Sequence, residues 1–341
     1  MAAKIKDVSH GATPAAEDTA FSEGANPPSA ASISGGAPAC RAGALPTELI
    51  ALCENLEVSV WGKATVVEGL PKHAYHGIKG QVVISSSQER DFNRSMELFH
   101  GRHIARTIPG FSSSSTELGD DIHAWWEVPE AGLDFLVCPP TETLTPTGLI
   151  GKKAEDWAKS EGITGRLVSP SEKAKRERIV NALRKSKPAM ELNALTVHRE
   201  LSFFWQHTNG LDLRCSADGI LDNNTYIDLK TTSCDDIDRE FFQSVRKFGY
   251  ARQQAFYEIC QEATGGPVCG MVFVIVQTDY PHQVRCRTIP EALVQSAKRS
   301  VLRNLDEIKN RLDLDHWVSD ASDEIQELFF PRWALTEDSN D

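Results

Sequence analysis

The sequence predicts an α/β fold, a central mixed β-sheet with helices packed on both sides of its strands. Three observations predict it. Strand-like segments concentrate between residues 197 and 289. Helical segments precede that cluster, interrupt it once near 239–262 and close it after Pro290. A hydrophobic share of 40% with 25% charged residues gives an ordinary globular core. Helices before, within and after a strand cluster bury their apolar faces most simply against a shared sheet.

Each element has a local reason. Leu49, Ile50 and Leu52 predict a short helix with Thr47 as its N-cap. The run Gln81 to Ser87 either ends a strand or leads a serine-capped helix that continues through Arg94 towards His100. Thr116 to Trp126 reads as a helix after the serines at 112–115, and two more follow near 151–160 and 171–187. Val197 to Trp205 alternates and ends in aromatics, as a strand does. Leu211–Leu221 and Thr225–Thr232 flank Asp222-Asn223-Asn224, which is turn chemistry. One long helix is expected over Arg239–Glu262. Cys269–Val276 is a buried strand by its unbroken apolar run, and Gln283–Ile289 alternates beside it. Pro290 starts a final helix reaching Leu312, a position where a helix tolerates proline.

Composition divides the chain in three. Residues 1–45 are rich in Ala, Gly, Ser and Pro and lack apolar period, so disorder is expected there. Residues 46–312 form the globular domain, and 313–341 an acidic tail with nine acids against Arg332 alone. That tail supplies most of the net charge of −12. The negative sum therefore does not exclude a nucleic-acid ligand, since the distribution of charge decides. The 171–187 helix carries seven bases against Glu172 and Glu177, either a solvated face or a phosphate-tracking surface. No apolar stretch is long enough for a membrane helix and no secretory signal is present, so a cytoplasmic protein is expected. The eight cysteines form no C-x-x-C pair, which argues against a structural zinc site.

The candidate chemistry lies in Ser216-Ala217-Asp218-Gly219 and Tyr226-Ile227-Asp228-Leu229-Lys230-Thr231-Thr232. Side chains two apart on a strand share a face, so Asp228 and Lys230 point together while Ile227 and Leu229 point to the core. A charged pair on an otherwise apolar strand is costly to bury, and a metal is a suitable partner. Two carboxylates can hold hard divalent cations that neutralise phosphoryl oxygens and acidify a water, while a lysine holds that water. A two-residue hairpin at 223–224 would set Asp218 opposite Leu229 and turn it away from the pair. A shared site therefore requires an odd loop or a bulge near 222–225, and one is predicted. Without such a turn, Asp218 is a turn residue and Asp228–Lys230 a surface pair.

These residues resemble the catalytic motif of PD-(D/E)XK nucleases of the RecB-like branch, with greatest similarity to RecE-type exonuclease VIII of prophages. Leu118-Gly119-x-x-x-His123 resembles the branch's upstream helix, and Tyr250-x-x-Gln253-x-Ala255-Phe256-Tyr257 its glutamine–tyrosine helix. Tyr75-His76 with Ile84-Ser85-x-Ser87 resembles the start of the RecE nuclease domain. The resemblance spans roughly 70–310. Two departures stand out: Ala217 replaces the motif's proline, and the second acid is Asp228 rather than the commoner glutamate.

The resemblance implies a PD-(D/E)XK core and a role for each residue. Asp218, Asp228, the Leu229 carbonyl and His123 would bind metal, Mg²⁺ with Mn²⁺ as a substitute. Lys230 would position or activate the attacking water. Gln253 and Tyr257, one helical turn apart, would contact the DNA backbone or order the site. Glu200 would be an accessory acid on the preceding strand. The implied activity is 5′→3′ exonucleolytic degradation of linear double-stranded DNA, leaving 3′ single strands for recombination by annealing. A ring-shaped homotetramer and a RecT-like single-strand annealing protein are the implied partners. Arg246, Lys247, Arg252 and the 173–187 bases would line a DNA channel. The alternatives are a RecB-like endonuclease, a single-strand exonuclease and an inactive DNA-end-binding module.

Overall fold

A computed structural model describes residues 45–78, 80–109 and 114–317. The segment 1–44 and the tail beyond 317, with the expectations made for them, lie outside the described residues. The first described element is α1 (Thr47–Cys53), whose N-cap position is Pro46 rather than Thr47, with no side-chain cap. A hairpin follows, β1 (Glu57–Trp61) and β2 (Ala64–Glu68), then α2 (Lys72–Gly77) and the short β3 (Val83–Ile84). Both readings of the serine run hold in part. The strand ends at Ile84, and Ser85 caps α3 (Ser86–Arg94) in a reciprocal box with Gln88. Next come α4 (Met96–Phe99), α5 (Ser114–Glu127), β4 (Leu136–Val137), α6 (Lys152–Ser160) and β5 (Arg166–Leu167). The helices α7 (Pro170–Lys185) and α8 (Lys187–Ala194) lead into three long strands. These are β6 (Thr196–Gln206), β7 (Asp212–Leu221) and β8 (Tyr226–Thr232).

The single helix expected over 239–262 is two, α9 (Ile237–Phe248) and α10 (Tyr250–Thr264). Gly249 separates them at φ +69, a left-handed conformation that ends one helix while directing the next away. The last described elements are β9 (Met271–Gln277), β10 (Val284–Arg287) and α11 (Glu291–Leu314).

The main sheet runs β1-β2-β6-β7-β8-β9-β10, with β3 added beside β7. Within it only β8–β9 and β3–β7 are parallel, and β4 and β5 form a separate two-stranded parallel sheet. The α9–α10 pair makes the crossover that parallel strands require. One face is covered by α9, α10 and α11 through Phe241, Phe256, Val301 and Leu305. The other is covered by α5, α7 and α8 through Ile122, Trp125, Trp126, Ile179 and Leu183. A smaller cluster packs α1 and α2 on β2 and β3. No helix among the described residues is long and apolar enough to cross a membrane.

Two irregularities shape the sheet. The β7–β8 register is Gly219↔Ile227 and Ile220↔Tyr226, closed by Leu221 and Thr225 across the three-residue loop 222–224. Asn224 takes φ +68 there. The loop has the odd length the sequence requires, but the paired residues stop at Gly219 and Ile227, one step short of Asp218 and Asp228. Only those two residue pairs join the strands, while the other end of β7 pairs with β3 at Asp212 and Leu213. The sheet therefore forks between β7 and β8.

The second irregularity is a break in alternation. Leu213, Cys215 and Ala217 share one core cluster, and so does Ile220, three residues on from Ala217. On β6, the pairs Arg199↔Gly219 and Leu201↔Ala217 place Glu200 across from Asp218, and Glu200 has φ +48. A non-glycine residue in that region carries strain of order 1–3 kcal/mol, a cost that gathers at functional sites. Both strands thus turn out of phase at one facing pair of acids.

Candidate active site

The fork collects the acids. On β8, Ile227 and Leu229 enter the core under α5 and α7, while Tyr226, Asp228 and Lys230 face α10. Asp228 is 4% exposed. Its Oδ1 accepts the Gln253 amide at 2.6 Å, and its Oδ2 lies 2.5 Å from Lys230 Nζ. Burial pushes the Asp228 carboxyl above the usual aspartate range against the pull of Lys230, and Asp218 adds to the rise. Burial acts on the Lys230 ammonium in the opposite sense, but Asp228 and Asp218 outweigh it, so Lys230 is held protonated.

Asp218 sits at the point where β7 and β8 part. Its Oδ2 accepts the Leu229 N–H at 3.0 Å and lies 3.3 Å from His123 Nδ1 on α5. The contact of Leu229 with the acids is therefore made through its N–H, and its side chain is fully buried on the far face. Ligand atoms of His123, Glu200 and Asp218 come within 4.8 Å of one another. Asp228 does not join that trio, although it lies next to Ile227, the partner of Gly219 in the register. Glu200, read from the sequence as an accessory acid, is thus the third acid or imidazole group of a cluster that could hold a metal ion.

Glu200 is electrostatically extreme. Burial raises its carboxyl to about 8, with Asp218 adding to the rise and Lys72 opposing it. Lys72, on α2, stands 3.7 Å from both Glu200 and Glu127. Burial pulls the Lys72 ammonium down, and the surrounding acids raise it further than that. Lys72 and Glu127 were missed by sequence reasoning. The one available signal was position, since Lys72 lies three residues before the Tyr75-His76 pair.

The donor set suits a hard divalent cation: one imidazole nitrogen and several carboxylate oxygens. Glu200 Oε1 is buried and makes no hydrogen bond among the described residues, the Lys72 ammonium standing off it at ion-pair distance, 3.7 Å. Crowded acids that share one ammonium are what a further positive charge would relieve. A cavity of about 240 Å³ opens on the trio, lined also by Lys72, His76, Ser85 and Ser87. The amino-terminal segment singled out in the sequence therefore forms one wall of the site.

Tyr257 and Gln253 each hydrogen-bond to one of the two strands that carry Asp218 and Asp228. The Tyr257 hydroxyl donates to the Ser216 carbonyl at 2.5 Å, and burial pushes its phenol well above the usual range. The expected DNA channel needs correction. Arg252 points inward to Glu89 and to Ser300 Oγ at 2.8 Å, because α10 is a buried helix. On α7, Arg176 is buried against Asp121 at 2.6 Å, and Lys173 donates to the Leu136 carbonyl. Lys175 pairs with Asp279 at 2.8 Å. Much of that basic cluster ties the fold together. Arg178, Lys185, Arg246 and Lys247 remain exposed.

Residues 85–326, well over half of the chain, match a family described as a PDDEXK-like domain of unknown function (DUF3799). The chain belongs to this family. The matched region holds His123, Glu200, Asp218, Asp228, Lys230, Gln253 and Tyr257, and it begins after Lys72. It also runs past 312, beyond the boundary expected from composition. No curated protein matches the sequence. Among solved structures, the fold is similar to a crystal structure titled "Putative exonuclease" from Eubacterium rectale. That likeness has 16% identity and a TM-score of 0.47, covering 75% of this chain and 93% of the other.

Proposed function

We propose that the protein is a Mg²⁺-dependent nuclease, with Mn²⁺ as a substitute, that hydrolyses phosphodiester bonds of DNA at the β7–β8 fork. The observation that carries this is the meeting of Asp218, Glu200 and His123 beside the buried Asp228–Lys230 pair. Membership of a PDDEXK-like family supports it. The resemblance to RecE-type enzymes narrows the reading to a cytoplasmic, prophage-derived exonuclease that degrades linear duplexes 5′→3′. It would leave 3′ single strands for a RecT-like annealing partner and act as a homo-oligomer, in ring form a tetramer.

A divalent cation bound there would neutralise phosphoryl oxygens and acidify a bound water. The chain's own contribution is positional. His123, Asp218 and Glu200 present one nitrogen and the carboxylate oxygens from one side. Gln253 holds Asp228 in a single orientation. Lys230, whose ammonium lies 2.5 Å from Asp228 Oδ2, would position or activate the attacking water and balance charge that grows on the phosphoryl group.

The test uses linear, nicked and closed circular duplexes with Mg²⁺, the linear one labelled at either end. Release of labelled nucleotide from the 5′ end of linear DNA, with circles intact, is expected. Equal loss of circular and linear DNA would refute the exonuclease reading. Loss from neither, with DNA still bound, would favour an end-binding module.

A further inference from the structure

An aromatic path leads from Lys230 to the surface. Lys230 Nζ lies 5.2 Å from the centre of the Tyr250 ring. The Tyr250 ring stacks on Phe248 with centroids 5.8 Å apart and planes 27° apart. Tyr250 is also stacked on Phe241 and Phe273, at 5.8 Å each, so it is fixed from the core side. Phe248 is 43% exposed. The steps of 5.2 and 5.8 Å put its ring within about 11 Å of Lys230 Nζ.

The exposure is built into the backbone. Phe248 is the last residue of α9, and Gly249 turns the chain at φ +69 so that Tyr250 begins α10 beneath it. Arg90 Nη1 donates to the Phe248 carbonyl at 3.1 Å and pins the turn. Lys247 Nζ sits 5.3 Å from the Phe248 ring centre, and Arg246 is exposed beside it. A large ring half in water is unfavourable in isolation. Here it is rigid, flanked by cations and joined by a ring stack to the candidate site. Base-stacking platforms in single-strand-binding grooves share that combination.

We infer that Phe248 is a stacking platform for an unpaired base of the substrate strand, with Lys247 and Arg246 on the adjoining phosphates. This rests on the nuclease reading and deepens it, since it commits the site to a strand that is unpaired near the scissile phosphate. Stacked bases rise about 3.4 Å per step, so 11 Å spans on the order of three nucleotides. The platform is sequence-tolerant, because every base has a π-face.

The experiment places 2-aminopurine singly at the first four positions of a single-stranded tail on a duplex and titrates the full-length protein in EDTA, so that no strand is cut. Fluorescence should be quenched on binding at one or two of those positions. Phe248→Ala should relieve that quenching and weaken tailed-duplex binding roughly 5- to 150-fold. Phe248→Trp should restore both, and Lys247→Gln should lower the salt slope of binding by about one phosphate contact. The inference is overturned if Phe248→Ala binds and quenches like the wild type. It is also overturned if that change halves the solution mass, which would make this face a contact between copies, or if removing the acidic tail alone releases the quenching. A protein that cuts DNA while Phe248→Ala behaves as wild type rejects this inference and keeps the nuclease reading. A protein that neither binds nor cuts DNA rejects both.

Discussion

Asp218 Oδ2 accepts the backbone N–H of Leu229 at 3.0 Å, a hydrogen bond that an unforked antiparallel pair would give to a main-chain carbonyl. The sheet parts at this point, and an acid on one prong is locked to the residue between the acid and lysine of the other. Asp218→Asn keeps an oxygen for that N–H but removes a charge from a crowded cluster. Cleavage should fall on the order of 10³-fold. The metal-free protein should melt at a higher temperature, with about 2–4 °C for each kcal/mol regained. Thermal melts in EDTA beside nuclease assays check this, and a lower melting point would show that the acids do not repel one another in the fold.

Gln253 orients Asp228 from α10 at 2.6 Å. Gln253→Met keeps the bulk and loses the bond. Partners that orient metal ligands are worth roughly 10–100-fold in affinity or activity. The Mg²⁺ concentration for half-maximal rate should rise by about that factor, with partial recovery of rate at high Mg²⁺. An unchanged Mg²⁺ requirement would make Gln253 a packing residue.

Glu200 gives a pH dependence whose sign is fixed. Its carboxyl is raised to about 8 by burial and by Asp218, well above the value of an unfolded glutamate. The neutral form is favoured in the fold, so this stability is fully present below the ordinary glutamate range and is lost as pH rises through about 8. Metal binding needs the charged form and must expel that proton. Between pH 6 and 8, apparent metal affinity should rise by up to about tenfold per pH unit. Calorimetry at pH 7 in two buffers of different ionisation heat should show proton release, absent in Glu200→Gln. Binding that is independent of pH, with no proton released, would contradict the account.

Gly62 tests the support of the β1–β2 edge. It has φ +55, and a Cβ there would meet the Thr264 and Ala263 carbonyl oxygens at 2.5 and 2.6 Å. The neighbouring Lys63 N–H donates to Ala263 at 2.7 Å, so the hairpin cannot simply move away. Gly62→Ala should destabilise by about 2–4 kcal/mol in urea unfolding. A change below about 0.5 kcal/mol would show that the hairpin is loosely attached.

Much of this arrangement is legible in the sequence wherever periodicity is local. Asp228 and Lys230 share a face by alternation, and the three-residue loop follows from asking how Asp218 could join them. The alternation of Val58, Val60 and Val66 about Gly62 also carries the β1–β2 hairpin locally. The break at Gly249 was readable only in principle, since a glycine inside a helical pattern is often tolerated. Glu200 lay beyond local rules. Its proximity to His123 and Asp218 depends on a left-handed residue in the middle of a strand, which disfavours glutamate and is maintained by the surrounding fold. The basic residues of α7 misled for a related reason: residue counts along a helix do not say which arginine, such as Arg176, finds a buried carboxylate.

The most direct measurement is Mn²⁺ anomalous scattering from crystals of the full-length protein. The account predicts a peak at the β7–β8 fork, bonded at about 2.0–2.2 Å by His123, Asp218 and Glu200 or Asp228, and lost in Asp218→Asn. A fork without a peak at saturating Mn²⁺, or a peak elsewhere that supports cleavage, would contradict it.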